Sequence, residues 1–96
     1  MKYIVQIEVD PETGVDIEGS PEKIHELMEK WQTLNPIGLY FSLTRRAITV
    51  IVDVANEDAM FEALHATWVV AKDYPDVSPV VSAEEFPAIM QRLGMR

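Results

Sequence analysis

Each of the two histidines in this chain stands three residues after a glutamate, in Glu22-Lys23-Ile24-His25 and in Glu62-Ala63-Leu64-His65. On a helix this spacing puts a carboxylate and an imidazole on one face, the arrangement that carboxylate-bridged metal sites use. Such sites also need carboxylates converging from other helices. The pattern described below places His25 near the start of one helix and His65 in the middle of another that runs roughly antiparallel to it. The two pairs are not expected to meet. No metal is therefore expected, and solvated helix faces account for both.

His65 by itself is the candidate catalytic residue. It lies beside Phe61 and Trp68, on or near the inward apolar stripe of its helix. There an imidazole titrating near neutral pH could exchange a proton with a substrate. Its plainer use is a histidine at the core edge, bonded to a neighbouring carbonyl. Trp31, Tyr40, Phe61 and Trp68 are the candidate ligand-binding residues, able to line an aromatic pocket, while ordinary core packing is the competing use of the tryptophans. Tyr40 and Asp53 share a sheet face by pattern and could orient a ligand; bonding across a subunit interface is the favoured reading.

Arg45 and Arg46 occupy a hairpin turn, where paired guanidinium groups could bind an anion but more often meet only water. The acidic stretch with Asp10, Glu12, Asp16 and Glu18 invites a calcium reading. It fails, because Val15 stands where the EF-hand turn needs glycine and Pro21 where the bidentate glutamate belongs. No glycine-rich phosphate cradle, GxSxG elbow, Walker sequence or HExxH occurs, so no cofactor is expected.

Composition narrows the classes further. Ninety-six residues make a single domain over 1–96, and 48% hydrophobic with 25% charged residues is ordinary for a folded protein. Sixteen acidic against eight basic residues give a net charge of −8, and no concentrated basic patch offsets it, so nucleic acid is not an expected partner. The absence of cysteine removes disulfides, thiolate metal sites and cysteine nucleophiles together, and fits a reducing cytoplasm. MKYIVQIEVD lacks the longer apolar core and cleavage site of a signal peptide, and no apolar run approaches the roughly 18 residues of a membrane span. A soluble, cytoplasmic protein is expected.

The elements that must position these residues follow from periodicity. Lys2 to Val9 alternates, with Tyr3, Val5, Ile7 and Val9 on one face. Asp10 to Gly19, with its proline, two glycines and four acids, reads as a long loop. Ser20 as N-cap, Pro21 and Glu22 then open a helix whose stripe is Ile24, Leu27, Met28 and Trp31, stopped by Asn35-Pro36. Ile37 to Leu43 and Ala47 to Val54 form a hairpin around Thr44-Arg45-Arg46. A second helix opens at Asn56, carries Met60, Phe61, Leu64 and Trp68 as its stripe, and ends at Asp73-Tyr74-Pro75. Val77 to Val81 is the last strand. Ser82-Ala83-Glu84-Glu85 has capping-box spacing, and Pro87 favours a turn before a short helix ending at Leu93 with Gly94 as its stop.

The order strand, helix, strand, strand, helix, strand is the βαββαβ plan of a ferredoxin-like α+β sandwich, with a four-stranded antiparallel sheet and a short C-terminal helix. Such a sheet has one face covered by helices. Here the other carries Ile4, Tyr40, Ile51 and Val80 among Gln6, Glu8, Ser42, Thr49, Asp53 and Ser78, so a homodimer through that open face is expected.

The strand Thr49-Val50-Ile51-Val52-Asp53-Val54, the helix start Asn56-Glu57-Asp58-Ala59 and the return through Asp76-Val77-Ser78-Pro79-Val80 to Ala83-Glu84-Glu85 together resemble the second half of small bacterial dimeric α+β barrel proteins. The chain is similar in length and element order to the muconolactone isomerase family and to an uncharacterised family of like size. The resemblance implies a sheet-to-sheet homodimer and a cavity between sheet and helices that admits a small apolar or aromatic molecule. No catalytic motif of that family can be matched residue by residue. The enzymatic alternative is an isomerase or cofactor-free monooxygenase acting on a small cyclic or aromatic compound, with His65 as proton carrier. The second alternative is a small-molecule-sensing regulatory domain with an interfacial cavity lined by Tyr40, Ser42 and Thr49.

Overall fold

The computed structural model describes residues 1–94. Alternation builds its sheet. β1 (Lys2–Glu8) lies between β3 (Ala47–Asp53) and β4 (Asp76–Val80), and β2 (Gly38–Phe41) pairs with the outer edge of β3. All pairings are antiparallel and the order is β2-β3-β1-β4, which agrees with the ferredoxin-like plan. The register puts Leu39, Val50, Val5 and Val77 in one row across the sheet, and Gly38, Ile51, Ile4 and Ser78 in the next, on the opposite face. A slip of one residue would exchange those faces, so burial of Val5, Ile7, Val50 and Val52 fixes the pairing.

Helices cover one face only. α2 (Pro21–Gln32) and α3 (Glu57–Ala71) pack on each other, and α1 (Pro11–Glu18) packs against both. The expected stripe of α2 is confirmed: Leu27 and Trp31 are buried, and Ile24 and Met28 half-buried. Ser20 precedes α2, but its side chain makes no capping bond; its backbone carbonyl accepts from Lys23 N–H at 3.0 Å. At the other end Asn35 takes a left-handed φ of 50°, a conformation asparagine tolerates better than most residues. α3 is capped as expected, with Asn56 Oδ1 accepting from Asp58 N–H at 2.9 Å.

Two expectations need correction. The stretch read as a loop contains α1. Asp10 caps it, Oδ1 accepting from Thr13 N–H at 2.7 Å, and Pro11 and Glu12 occupy its first turn. Hydrogen bonds from the hydroxyl and the backbone N–H of Thr13 hold the Asp10 carboxyl below its ordinary range. The hairpin strand β2 is also shorter than the apolar pattern suggests. Leu43 is fully exposed, because Ser42 Oγ accepts from both Thr44 N–H and Arg45 N–H at 3.2 Å and turns the chain early.

Beyond β4 the chain leaves the domain. Ser82 and Glu85 form the reciprocal box the sequence suggests, Glu85 N–H donating to Ser82 Oγ at 3.1 Å and Ser82 N–H to Glu85 Oε1 at 3.4 Å, and the Ser82 hydroxyl also donates to Glu85 Oε1 at 2.9 Å. α4 (Phe86–Arg92) follows, with no buried residue and no packed partner element comparable with those of α2 and α3. The protein therefore measures 52 × 29 × 19 Å, with a radius of gyration of 15.5 Å. A compact chain of this length would have about 12–13 Å.

The root of this C-terminal arm is held by Lys2, whose Nζ lies 2.7 Å from Glu85 Oε1. Hydrogen bonding from Lys2, then from Ser82, lowers the Glu85 carboxyl from 4.5 to about 2, and the Lys2 ammonium is raised in return, first by the same bond. A carboxyl depressed on folding stabilises the folded form above its unfolded value and loses that contribution as pH falls through the folded one. Acidification between pH 4.5 and about 2 is therefore expected to release the arm. A side-chain carboxyl NMR titration should show Glu85 ionising at about 2, and Lys2→Met should move that midpoint back toward 4.5. An unmoved midpoint would show that Lys2 is not the cause.

Candidate functional site

A pocket of about 350 Å³ lies between the sheet and the helices, at the hairpin end of the molecule. β1 contributes Ile7, α1 Ile17, α2 Ile24 and Leu27, β3 Ile48, and α3 Val70 and Ala71. Its floor is buried, while Glu18, Ser42, Arg45 and Arg46 are exposed and mark its mouth. The volume falls at the small end of the range of ligand sites, and the lining matches their usual character of apolar walls with a few polar groups at one side.

The mouth is organised by Arg46. Its side chain crosses α1 above Gly14 and pairs with Glu18, and a Cβ on Gly14 would collide with the arginine Cδ and Nε. Glycine in mid-helix costs about 0.5–1 kcal/mol relative to alanine. At this position it clears the path by which Arg46 reaches the last turn of α1. Arg45 lies beside Glu8, 3.6 Å away, and Lys72 ties α3 to α1 through Asp16 at 3.4 Å. The hairpin arginines, expected to meet only water, both lie beside carboxylates.

The sequence-derived site residues are not brought together here. His65 is exposed on the solvent side of α3 and does not line the pocket. It is stacked between Phe61, 6.2 Å away between ring centres, and Trp68, 6.1 Å away; Tyr74 continues the series 6.0 Å beyond Trp68. Phe61 is 68% and Trp68 43% exposed, so neither shapes a cavity beneath the helices. Their helix is turned the other way. Its buried positions are Met60, Ala63, Thr67 and Ala71, and the last three are small side chains that let α3 lie close to α2 and β1.

Trp31 is fully buried, but in the core: its Nε1–H donates to Thr67 Oγ1 at 2.8 Å, and the Thr67 hydroxyl donates to the Ala63 carbonyl at 2.8 Å. Tyr40 stands on the open sheet face, 62% exposed, with its ring lying over Gly38, where a Cβ would come within 2.7 Å of it. Asp53 lies on that face too, 3.2 Å from the N-terminal ammonium. His25 is exposed and pairs with Glu29 at 2.9 Å instead of Glu22. Among the described residues no group of three histidine or acidic side chains is placed to hold a metal ion.

Sequence reading named Glu18, Ser42, Arg45 and Arg46 separately without placing them at one mouth, and it missed α1 as a pocket wall. The signal was present: Asp10-Pro11-Glu12 repeats the grammar of Ser20-Pro21-Glu22, an oxygen-bearing cap, a proline and an acid. The lining contains no histidine, tyrosine or tryptophan. Chemically, such a site can shelter an apolar body and set a polar group against Arg46 or Glu18, and no lining side chain is a ready proton carrier at neutral pH. Among the described residues no helix is long and apolar enough to cross a membrane. No protein-family model matches the chain, and no curated protein matches it.

Proposed function

We propose that this protein is a cytoplasmic homodimeric α+β barrel that binds a small apolar or aromatic molecule between its sheet and its helices. The observation that carries the reading is the pocket of about 350 Å³, walled by Ile7, Ile17, Ile24 and Leu27. Two further features support it. The strand sequence β2-β3-β1-β4 is that of a ferredoxin-like fold, the fold this reading requires. The open sheet face sets half-buried Ile4 and Ile51 side by side, next to the exposed ring of Tyr40, as a sheet that meets its twin would.

A thermal-shift screen of aromatic acids, lactones and short alicyclic compounds tests the binding. A ligand at a hundredfold its dissociation constant stabilises the folded form by about 2.7 kcal/mol, a shift of roughly 10–20 °C in a domain of this size. Ile24 is half-buried on the pocket wall, so Ile24→Trp fills the space from its edge and is expected to abolish the shift while the chain stays folded. A panel without any response, or a response that Ile24→Trp leaves intact, would remove the pocket as the binding site.

A further inference from the structure

α4 carries Phe86, Ile89, Met90 and Leu93 at helical spacing i, i+3, i+4 and i+7, a complete apolar stripe. None of the four is fully buried: Phe86 is 51% and Leu93 67% exposed, and Ile89 and Met90 are half-buried. A stripe of this kind on a two-turn helix has no reason to stay helical in water unless it packs on something, since isolated helices this short are marginal. Among the described residues it has no partner element in its own protomer comparable with those of α2 and α3, and the Lys2–Glu85 bond holds its root.

We propose that α4 is an exchanged arm: in the homodimer, the Phe86–Leu93 stripe of each protomer packs on the second copy alongside its open sheet face. The inference rests on the dimer reading above. Three observations choose a second copy as the occupant.

The first is area. With strands about 4.8 Å apart and rising about 3.4 Å per residue, the paired open face has a footprint of roughly 350 Å², under half of the about 800 Å² that a standard interface takes from each partner. Val81, Phe86, Ile89, Met90 and Leu93 supply further apolar area, a single aromatic side chain bringing about 150–250 Å².

The second is continuity. The arm leaves β4, an edge strand of the same sheet, directly after Val80, which lies in the open-face row that contains Lys2 and Asp53. The third is charge. Arg92 stands in the last turn of α4 and makes no ion pair among the described residues; on the open side of this acidic chain Asp76 is exposed and also without one, while Glu8 and Asp53 are exposed beside Arg45 and the N-terminal ammonium. A twin offers Arg92 carboxylates.

The test uses the full chain. Sedimentation velocity over a range of concentrations is compared for the unaltered protein and for Phe86→Glu/Leu93→Glu, whose altered side chains lie outside the core and should leave the circular dichroism spectrum unchanged. The unaltered protein is expected to be a dimer and the variant to dissociate at least about tenfold more readily. If both dimerise equally well, the arm proposal is overturned and the sheet-to-sheet dimer stands. If the unaltered protein is a monomer throughout, both readings fall.

Exchange is separated from folding back onto the same protomer by a spin label on Met90→Cys, a clean site in a chain without cysteine. Mixed with isotope-labelled, unmodified protein, it should broaden resonances of the unmodified copy near Ile4 and Ile51. A dimer showing no such broadening would also overturn the exchange.

Discussion

Replacing Trp31 by alanine is expected to cost this protein about 3–5 kcal/mol, the range for removing a large aromatic side chain from a packed core. Trp31 has no exposed surface, and it joins α2 to α3 through the indole bond to Thr67. Small domains hold only about 5–15 kcal/mol in all, so urea unfolding should show a large fall in midpoint, and heating a fall of roughly 12 °C or more. Trp31→Phe should cost less, because it keeps an aromatic ring and removes the donor cleanly: the Thr67 hydroxyl still donates to Ala63. Trp68→Ala is the internal control. That ring is 43% exposed on the solvent side of α3, and its loss should cost under about 1 kcal/mol. Equal costs at the two tryptophans would mean that the core has been placed on the wrong face of α3.

Leu27→Ala is expected to produce the second large effect, about 2–5 kcal/mol of destabilisation, with a consequence for binding that Trp31 lacks. Leu27 is 2% exposed and belongs both to the core and to the pocket wall. Removing its branched end enlarges the pocket, and the penalty for that added space grows with its volume. A ligand bulkier than the best one for the unaltered protein should then bind the variant better and return part of the lost stability. Chemical unfolding with and without the bulkier compound measures both numbers. Ile24→Ala, on the same wall but only half-buried, should cost less and show the same change in size preference. If enlarging the wall left ligand preference untouched, the pocket would not be where ligands go.

Much of the architecture was legible in the sequence because it depends on period alone. Alternation in Lys2–Glu8 and Ala47–Asp53 and the helical stripe ending in Trp31 each state a face directly, and burial of Val5, Val50, Val52 and Trp31 follows from them. α1 was hidden because Gly14 and Pro11 are read as breakers. Proline is harmless in a first turn, and the glycine answers to Arg46, a residue far along the chain whose approach no local window can contain.

The face of α3 was misread for a related reason. Hydrophobic size pointed to Phe61 and Trp68, whereas close helix packing selected Ala63, Thr67 and Ala71. Thr67 could be buried only because its hydroxyl has both a donor, from Trp31, and an acceptor, at Ala63. The candidate site moved with that rotation: the chemistry-bearing residues His65, Phe61 and Trp68 went outward, and aliphatic side chains of ordinary appearance were left around the pocket.

The rings of Phe61, His65, Trp68 and Tyr74, stacked in line on the solvent side of α3, leave the two tryptophans in opposite optical surroundings. Trp31 emits from a dry interior and Trp68 from the wet end of an aromatic column, so a collisional quencher such as iodide should silence the second and spare the first. The unlabelled chain thereby carries two separable fluorescent reporters, one sensing the integrity of the interior and the other anything that settles on the outside of α3.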